Sequence, residues 1–230
     1  MKAMILAAGR GERMRPLTDR VPKALLEAGG RPLVAHLIER LARSGYCEVV
    51  VNVSHLADLI ERELGDGSRY GVRIVYSREV EPLETAGGIA FALPLLGDAP
   101  FLVVNSDIYS DFDFARLADP ATALARGRGL AHLVLVDNPA HHPRGDFALS
   151  AGAVSVEGAG RLTFSGIGVY APALFADVAR GARCQLVTLL APAMARGLVT
   201  GEHHRGLWMD IGTPLRLEAL ERALDARSER

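Results

Sequence analysis

Ala3-Met4-Ile5-Leu6-Ala7-Ala8-Gly9-Arg10-Gly11-Glu12-Arg13-Met14-Arg15-Pro16-Leu17-Thr18 begins as an apolar run and turns at Gly9 into a loop of glycine and arginine. The run is short for a leader peptide and meets Arg10, Glu12 and Arg13 at once, so it reads as a buried strand. A strand delivered into a Gly-rich turn is the opening unit of an open α/β sheet, in which ligands collect beyond the carboxyl ends of the strands. Gly9 and Gly11 let backbone amides approach a phosphate closely, and Arg13, Arg15 and Lys23 add positive charge around them. A plain structural turn uses the same glycines, and Gly-x-Gly alone does not separate the two readings. Two better-known phosphate loops fit poorly. A dinucleotide fingerprint needs a third glycine where Met14 stands, and a P-loop needs Gly-Lys-Ser/Thr at its close.

Outward from this loop, short apolar runs at 48–53, 72–76 and 101–104 alternate with helix-period stretches. Leu33, Val34, Leu37, Ile38 and Leu41 share one helical face, as do Leu56, Leu59, Ile60 and Leu64. The pattern predicts crossover helices feeding a parallel sheet. In the second half, 130–136, 146–149, 153–156 and 162–170 read as strands, followed by helical stretches at 186–196 and 214–224. Residues 121–129 read as a small-residue, Arg-bearing surface connection, and 225–230 as a tail that frays. The predicted fold class is α/β, Rossmann-like: an open mixed, mainly parallel sheet with helices on both faces. No linker or repeat interrupts the chain, so 1–230 is expected to be a single domain.

The 230 residues are 49% hydrophobic, enough for one well-packed α/β domain. Lys plus Arg number 26 against 27 Asp plus Glu, which gives no reason to expect a nucleic acid as partner. Lys2 and Lys23 are the only lysines beside 24 arginines, which invites the reading that Lys23 stands where a compact ammonium suits better than a planar guanidinium; composition alone does not separate this from a lysine without special meaning. Cys47 and Cys184 form no C-x-x-C pair and read as reduced thiols of a cytoplasmic protein. No stretch approaches the roughly 20 apolar residues of a membrane span, so no membrane is expected as partner.

The loop carries more than its glycines. Gly9-x-Gly11-x-Arg13-x-x-Pro16-Leu17-Thr18, followed by Pro22-Lys23, resembles the signature of the nucleotide-sugar pyrophosphorylases, also called sugar-1-phosphate nucleotidyltransferases. Glu84-Thr85-Ala86-Gly87-Gly88 resembles the base-recognition segment of that family, Asn105-Ser106-Asp107 its first metal motif, and Trp208-Met209-Asp210-Ile211-Gly212-Thr213 its second. The resemblance implies the nucleotide-diphospho-sugar transferase fold, with a nucleotide-binding half over about 1–110 and a sugar-binding half over about 111–225. It implies a reaction in which a sugar 1-phosphate attacks the α-phosphorus of a nucleoside triphosphate and pyrophosphate leaves. Such chemistry needs cations and geometry more than a protein nucleophile.

By this resemblance Arg13, Lys23 and Asp107 are catalytic, and Asp107 and Asp210 hold Mg2+, each expected to follow a strand of the folded sheet. Carboxylate oxygens suit magnesium, which takes one or two of them beside phosphates and water. Leu6, Ala8, Gly9, Gly11, Glu12, Arg13, Lys23, Glu84, Thr85 and Gly88 are expected on the nucleotide. Asn105, Arg144, Gly145, Ser165, His203 and Arg205 are expected on the acceptor; beyond what the resemblance implies, Arg205 or His203 is proposed to help hold its phosphate and Arg144 to face a carboxylate on the sugar. Plainer alternatives stand beside these: Asp107 as a cap, Asp210 paired with a surface arginine, Glu84 to Gly88 as an ordinary first helical turn, and Arg144 as a solvated cation. The pairs His141-His142 and His203-His204 lack metal-ligand spacing and read as surface or substrate contacts.

Within the family, Glu81-Pro82-Leu83-Glu84-Thr85, Gly145-Asp146-Phe147 and Gly201-Glu202-His203, with the stretches 95–102, 133–139 and 162–167, resemble the branch that uridylylates N-acetylmuramic acid 1-phosphate in peptidoglycan recycling. UTP and that sugar phosphate are therefore the expected partners, with the chain a monomer or small homo-oligomer. One departure matters: many members grip the sugar phosphate with a later lysine, and no lysine follows Lys23 here. Ser106 stands where glycine is common, and Ala24 where proline is. A C-terminal β-helix with a second activity is not expected. The alternatives are a mannose-1-phosphate guanylyltransferase or another sugar-1-phosphate nucleotidyltransferase and, from another class, a noncatalytic nucleotide-sugar sensor.

Overall fold

The structure, a computed structural model, describes residues 1–228. Its first half contains β1 (Ala3–Leu6), the small hairpin β2 (Glu27–Ala28) and β3 (Arg31–Pro32), α1 (Leu33–Arg43), β4 (Glu48–Val53), α2 (Ala57–Leu64), β5 (Arg73–Arg78), α3 (Glu84–Leu96) and β6 (Phe101–Asn105). The second half adds β7 (Ile108–Ser110), α4 (Ala118–Ala125), β8 (Ala131–Val136), β9 (Ala148–Ser150), β10 (Ala153–Ser155), β11 (Thr163–Tyr170), α5 (Leu186–Ala195), β12 (Val199–His204), β13 (Trp208–Asp210) and α6 (Pro214–Ser228).

Nine strands form one sheet in the order β5-β4-β1-β6-β11-β8-β12-β10-β9. The first four are mutually parallel, β11 runs antiparallel between β6 and β8, and β12 is again parallel to β8. It follows that β1, β4, β5, β6, β8 and β12 all end on one edge. Strand β1 sits between β4 and β6, so the chain reverses its direction of travel across the sheet there, and this is where open sheets leave a crevice.

The period of two along each strand divides the core between the faces. Ala3, Ile5, Val49, Val51, Val53, Leu102 and Val104 face one cluster with Val34, Ile38 and Leu41 of α1 and Ile60 and Leu64 of α2. Met4, Val50, Phe101 and Val103 face the other, with Ile89 of α3 and Leu190 and Met194 of α5. A third cluster joins Met14, Leu26, Ala28 and Leu33 to Ile211 and Leu220, so the first loop is packed against α6 from the far end of the chain.

The predicted fold class and its crossover helices are present. Strand ends shift by a residue or two, and Phe147 contributes only a single bridge to Leu162 before β9 begins. Two expectations need correction. Residues 121–129 are half helix, because α4 carries Leu124 into the core at 5% exposure. The tail is helical through Ser228 as the continuation of α6, while 229–230 lie outside the described residues. The sequence reading also lacks β12 and the two-stranded ribbon β13-β7. Strand β12 hides because its inward positions include Gly201, where a Cβ would stand 2.7 Å from the Leu133 carbonyl oxygen and the Val154 Cγ2. A strand that needs glycine for contact with its neighbours shows no apolar alternation. Among the described residues no helix is long and apolar enough to cross a membrane.

Candidate active site

A cavity of about 850 Å3 opens at the carboxyl ends of β1, β4, β5 and β6. Its floor is Leu6 to Gly9, and its walls bring in Gly11, Glu12, Arg13 and Lys23 from the loop, Asn52 and Glu79 from the neighbouring strand ends, Glu84 and Thr85 from α3, and Asn105 and Asp107 from the end of β6.

The loop is held by short-range geometry. Gly11 has φ 64°, and a Cβ there would meet Thr18 Cγ2 at 2.9 Å and Lys23 Cβ at 3.1 Å, so no side chain fits. The Thr18 hydroxyl donates to the Gly11 carbonyl at 2.8 Å. Met14 is fully buried, which stabilises the loop by roughly 1.5–3 kcal/mol and leaves the neighbouring Arg13 on the cavity wall.

Ser106 donates its backbone N–H to the Leu6 carbonyl at 3.1 Å, which fixes Asp107 beside the loop. There the Lys23 ammonium forms an ion pair with Asp107, the two side chains being 14% and 24% exposed. The second aspartate reaches the same neighbourhood along the ribbon. Asp210 lies opposite Ile108, and Ile211 donates its backbone N–H to the Asp107 carbonyl at 2.7 Å. Asp210 therefore ends a ribbon strand outside the main sheet, a correction to the expectation that each metal motif follows a sheet strand. Its carboxylate accepts from Arg216 Nη1 at 2.7 and 2.6 Å, and His141 Nε2 lies 3.1 Å away. The arginine pairing considered from sequence is thus present, on a guanidinium that is only 18% exposed. Two carboxylates thus stand at one end of the ribbon, each already paired with a cation.

A buried polar bridge runs through the cavity wall between the ends of β4 and β5. Asn52 is 3% exposed; its Oδ1 accepts from the Ala7 amide at 2.8 Å, and its Nδ2 donates to Glu79 Oε1 at 2.6 Å. Glu79 Oε2 accepts from the Leu83 amide at 2.9 Å. Burial of Glu79, at 5% exposure, pushes its carboxyl above the usual range. Gly88 does not line the cavity. It stands behind this bridge, where a Cβ would lie 2.7 Å from Glu79 Oε1.

The first-turn amides of α3 are not all open. Those of Ala86 and Gly87 donate to the Cys184 carbonyl at 3.0 and 3.1 Å, so a loop from the second half consumes two first-turn donors. Glu84 takes φ 63°, and its carboxylate lies 3.2 Å from Arg183 Nη2 of that same loop.

Of the residues expected on the acceptor, Asn105 lines the cavity. It also packs against Gly166, where a Cβ would come within 2.7 Å of Asn105 Nδ2. Arg144, Gly145, His203 and Arg205 lie outside the cavity, on loops or strand ends along the same sheet edge beyond Asn105. Gly145 occupies a left-handed turn at φ 60° and Arg144 is exposed beside it. His203 Nε2 is 3.0 Å from Asp137, and Arg205 Nε donates to His203 Nδ1 at 3.4 Å. The Ser165 hydroxyl is spent on the Val134 carbonyl at 2.6 Å inside the β11 bulge. The four paired histidines each meet a different carboxylate: His141 with Asp210, His142 with Asp146, His203 with Asp137 and His204 with Asp111.

Sequence reasoning missed Asn52, Glu79, Arg183 and Arg216. Asn52 carried a signal, as a polar residue within the apolar run of β4. The two arginines carried none, because only folding brings them to the site.

A family model described as nucleotidyl transferase matches residues 2–145. The chain belongs to the nucleotidyl transferase family. It is therefore an enzyme. The chain is 51% identical over 222 residues to the N-acetylmuramate alpha-1-phosphate uridylyltransferase of Neisseria meningitidis serogroup B, covering 95% of this chain and 96% of that protein. It is 40% identical over 223 residues to the protein of the same name from Caulobacter vibrioides, covering 92% of each. The fold of this nucleotidyl transferase matches HddC from Yersinia pseudotuberculosis, solved in complex with GMP-PN, at a TM-score of 0.80 and 21% identity, over 97% of this chain and 99% of that one.

Proposed function

We propose that this nucleotidyl transferase moves the uridylyl group of UTP onto N-acetylmuramic acid 1-phosphate, releasing pyrophosphate and UDP-N-acetylmuramic acid, with magnesium as its cation. The observation that carries the reading is 51% identity along 95% of the chain to a protein of that activity. The cavity supports it, because Gly9, Gly11, Arg13 and Lys23 converge on one wall with Asp107.

In this reading the amides around Gly9 and Gly11 hold the triphosphate, and the cations of Arg13 and Lys23 offset the charge that develops on the α-phosphate and the leaving pyrophosphate. Divalent-cation use is in keeping with the family, and Asp107 and Asp210 would hold magnesium; bound there, it would polarise the phosphates. Glu84 and Thr85 read the base by their backbone, with Arg183 closing that wall. The acceptor lies beyond Asn105, along the edge that carries Arg144, Gly145, His203 and Arg205, and Arg144 faces the lactyl carboxylate of the muramic sugar. One catalytic unit thus contains a nucleotide-binding half, about 1–110, and a sugar-binding half, about 111–225. We place the enzyme in the cytoplasm, in peptidoglycan recycling; the free thiols of Cys47 and Cys184 suit a reducing compartment.

Mass spectrometry of the product made from UTP, N-acetylmuramic acid 1-phosphate and magnesium tests the reading. UDP-N-acetylmuramic acid is expected. Recovery of both substrates intact, while another nucleotide and sugar phosphate are joined, would overturn it.

A further inference from the structure

Arg216 lies on the first turns of α6, six residues after Asp210, and its pairing with that carboxylate is unusual. A guanidinium normally meets a carboxylate as a fork, two nitrogens to two oxygens. Here Nη1 alone lies 2.7 and 2.6 Å from the two Asp210 oxygens and also 2.6 Å from His141 Nε2. Nε is buried without a hydrogen-bond partner. Nη2 crowds the backbone of Gly212, where an added Cβ would collide with it and would stand 3.1 Å from Arg13 Nη2. Gly212 itself lines the cavity. Two guanidinium groups therefore converge on one piece of cavity wall, and the donors of Arg216 on that side are not spent on Asp210.

Two like charges this close are stable only beside anions, and Asp210 now supplies one. Among the described residues no lysine follows Lys23, so any later phosphate-binding cation is an arginine or a histidine. We propose that Arg216 is an exchangeable counter-cation: it holds Asp210 until a divalent cation takes that carboxylate, and its freed guanidinium then binds a substrate phosphate beside Arg13 and Gly212. This rests on the reading of Asp210 as a metal-binding carboxylate. It predicts that the chain resists the metal when no substrate is present, because a competing cation already occupies one of its two carboxylates. Lys23 holds the other.

The test is Mn2+ binding to the full chain without nucleotide, followed by electron paramagnetic resonance. Arg216→Ala and Arg216→Gln should both bind Mn2+ roughly tenfold more tightly than the wild type, the gain expected if Arg216 occupies Asp210 about nine-tenths of the time. The glutamine variant keeps the packing and some hydrogen bonding, and it covers a fold loss in the alanine variant. Unchanged or weaker Mn2+ binding in the folded variants would overturn the proposal. Adding Asp210→Asn should abolish the gain; a gain that survives it places the effect elsewhere and also overturns the proposal. At saturating magnesium, Arg216→Ala should raise KM for one phosphate substrate. A rise for the sugar 1-phosphate assigns Arg216 to the acceptor, a rise for UTP assigns it to the triphosphate, and no rise for either contradicts the second half of the proposal. Failure here is separable from failure of the functional reading: wild-type chain that releases pyrophosphate from UTP and the muramic substrate keeps that reading whatever the Mn2+ result.

Discussion

Ile211 donates its backbone N–H to the carbonyl of Asp107 at 2.7 Å, and this bond ties two aspartate motifs that stand far apart in the sequence to one end of a two-stranded ribbon. It explains why neither carboxylate needs to be near the other along the chain. The ribbon places Asp107 on the cavity and Asp210 just behind it, each against its own cation.

Lys23 is the cation whose removal tests the cavity's chemistry. Lys23→Ala should lower kcat by about 10²–10³, the range seen when one electrostatic stabiliser is lost. The fold should persist, as judged by an unfolding transition of unchanged cooperativity. Lys23→Arg should not restore turnover, because a planar fork does not replace a point charge at a site 14% exposed. Near wild-type kcat in Lys23→Ala would show that the ammonium is not part of the machinery.

Gly88 should tolerate no side chain. Gly88→Ala puts a Cβ 2.7 Å from Glu79 Oε1 and 2.9 Å from Asn52 Nδ2, inside a buried bridge that cannot move without releasing the Ala7 or Leu83 amide. A destabilisation of about 1–3 kcal/mol is expected by urea unfolding, as for other overpacked cores. KM for UTP should rise with it, since Ala7 and Leu83 flank the cavity. Wild-type stability would mean that the bridge yields freely.

Much of this was legible before folding. The strand and crossover pattern follows from short apolar runs such as Val49, Val50 and Val51, whose side chains enter the cores on both faces of the sheet. The loop was legible because Gly11 and Lys23 are chemically specific. What stayed hidden depends on how the chain folds back. Arg183 lies on a distant loop that takes up the α3 amides, and Arg216, only six residues after Asp210, turns onto it at the start of α6. Strand β12 stayed hidden because one of its two buried positions, Gly201, carries no side chain.

Glu79 predicts a pH dependence of stability. Burial raises its folded-state pKa above the unfolded value of about 4.3, so folding takes up a proton between the two. Its contribution is full below the unfolded pKa and declines as pH rises through the folded one. Glu79→Gln, which cannot titrate, should therefore gain stability relative to wild type as pH rises from about 4 towards neutrality. Thermal or urea unfolding of the two proteins across that range checks it. A gap that stays constant, or moves the other way, would contradict the assignment.

Arg144 tests the acceptor edge. If it faces the lactyl carboxylate, Arg144→Ala should reduce kcat/KM for N-acetylmuramic acid 1-phosphate by roughly tenfold or more, while N-acetylglucosamine 1-phosphate, which lacks that carboxylate, should change little. Equal losses for both sugars would assign Arg144 a general role or none.

The central claim is transfer from UTP to a muramic acceptor, and pyrophosphate release tests it most directly. UTP, GTP, CTP and dTTP are each paired with N-acetylmuramic acid 1-phosphate, N-acetylglucosamine 1-phosphate and mannose 1-phosphate in the presence of magnesium. The account predicts the highest kcat/KM for UTP with N-acetylmuramic acid 1-phosphate. A preference for GTP with mannose 1-phosphate, or no pyrophosphate from any pair, would contradict it.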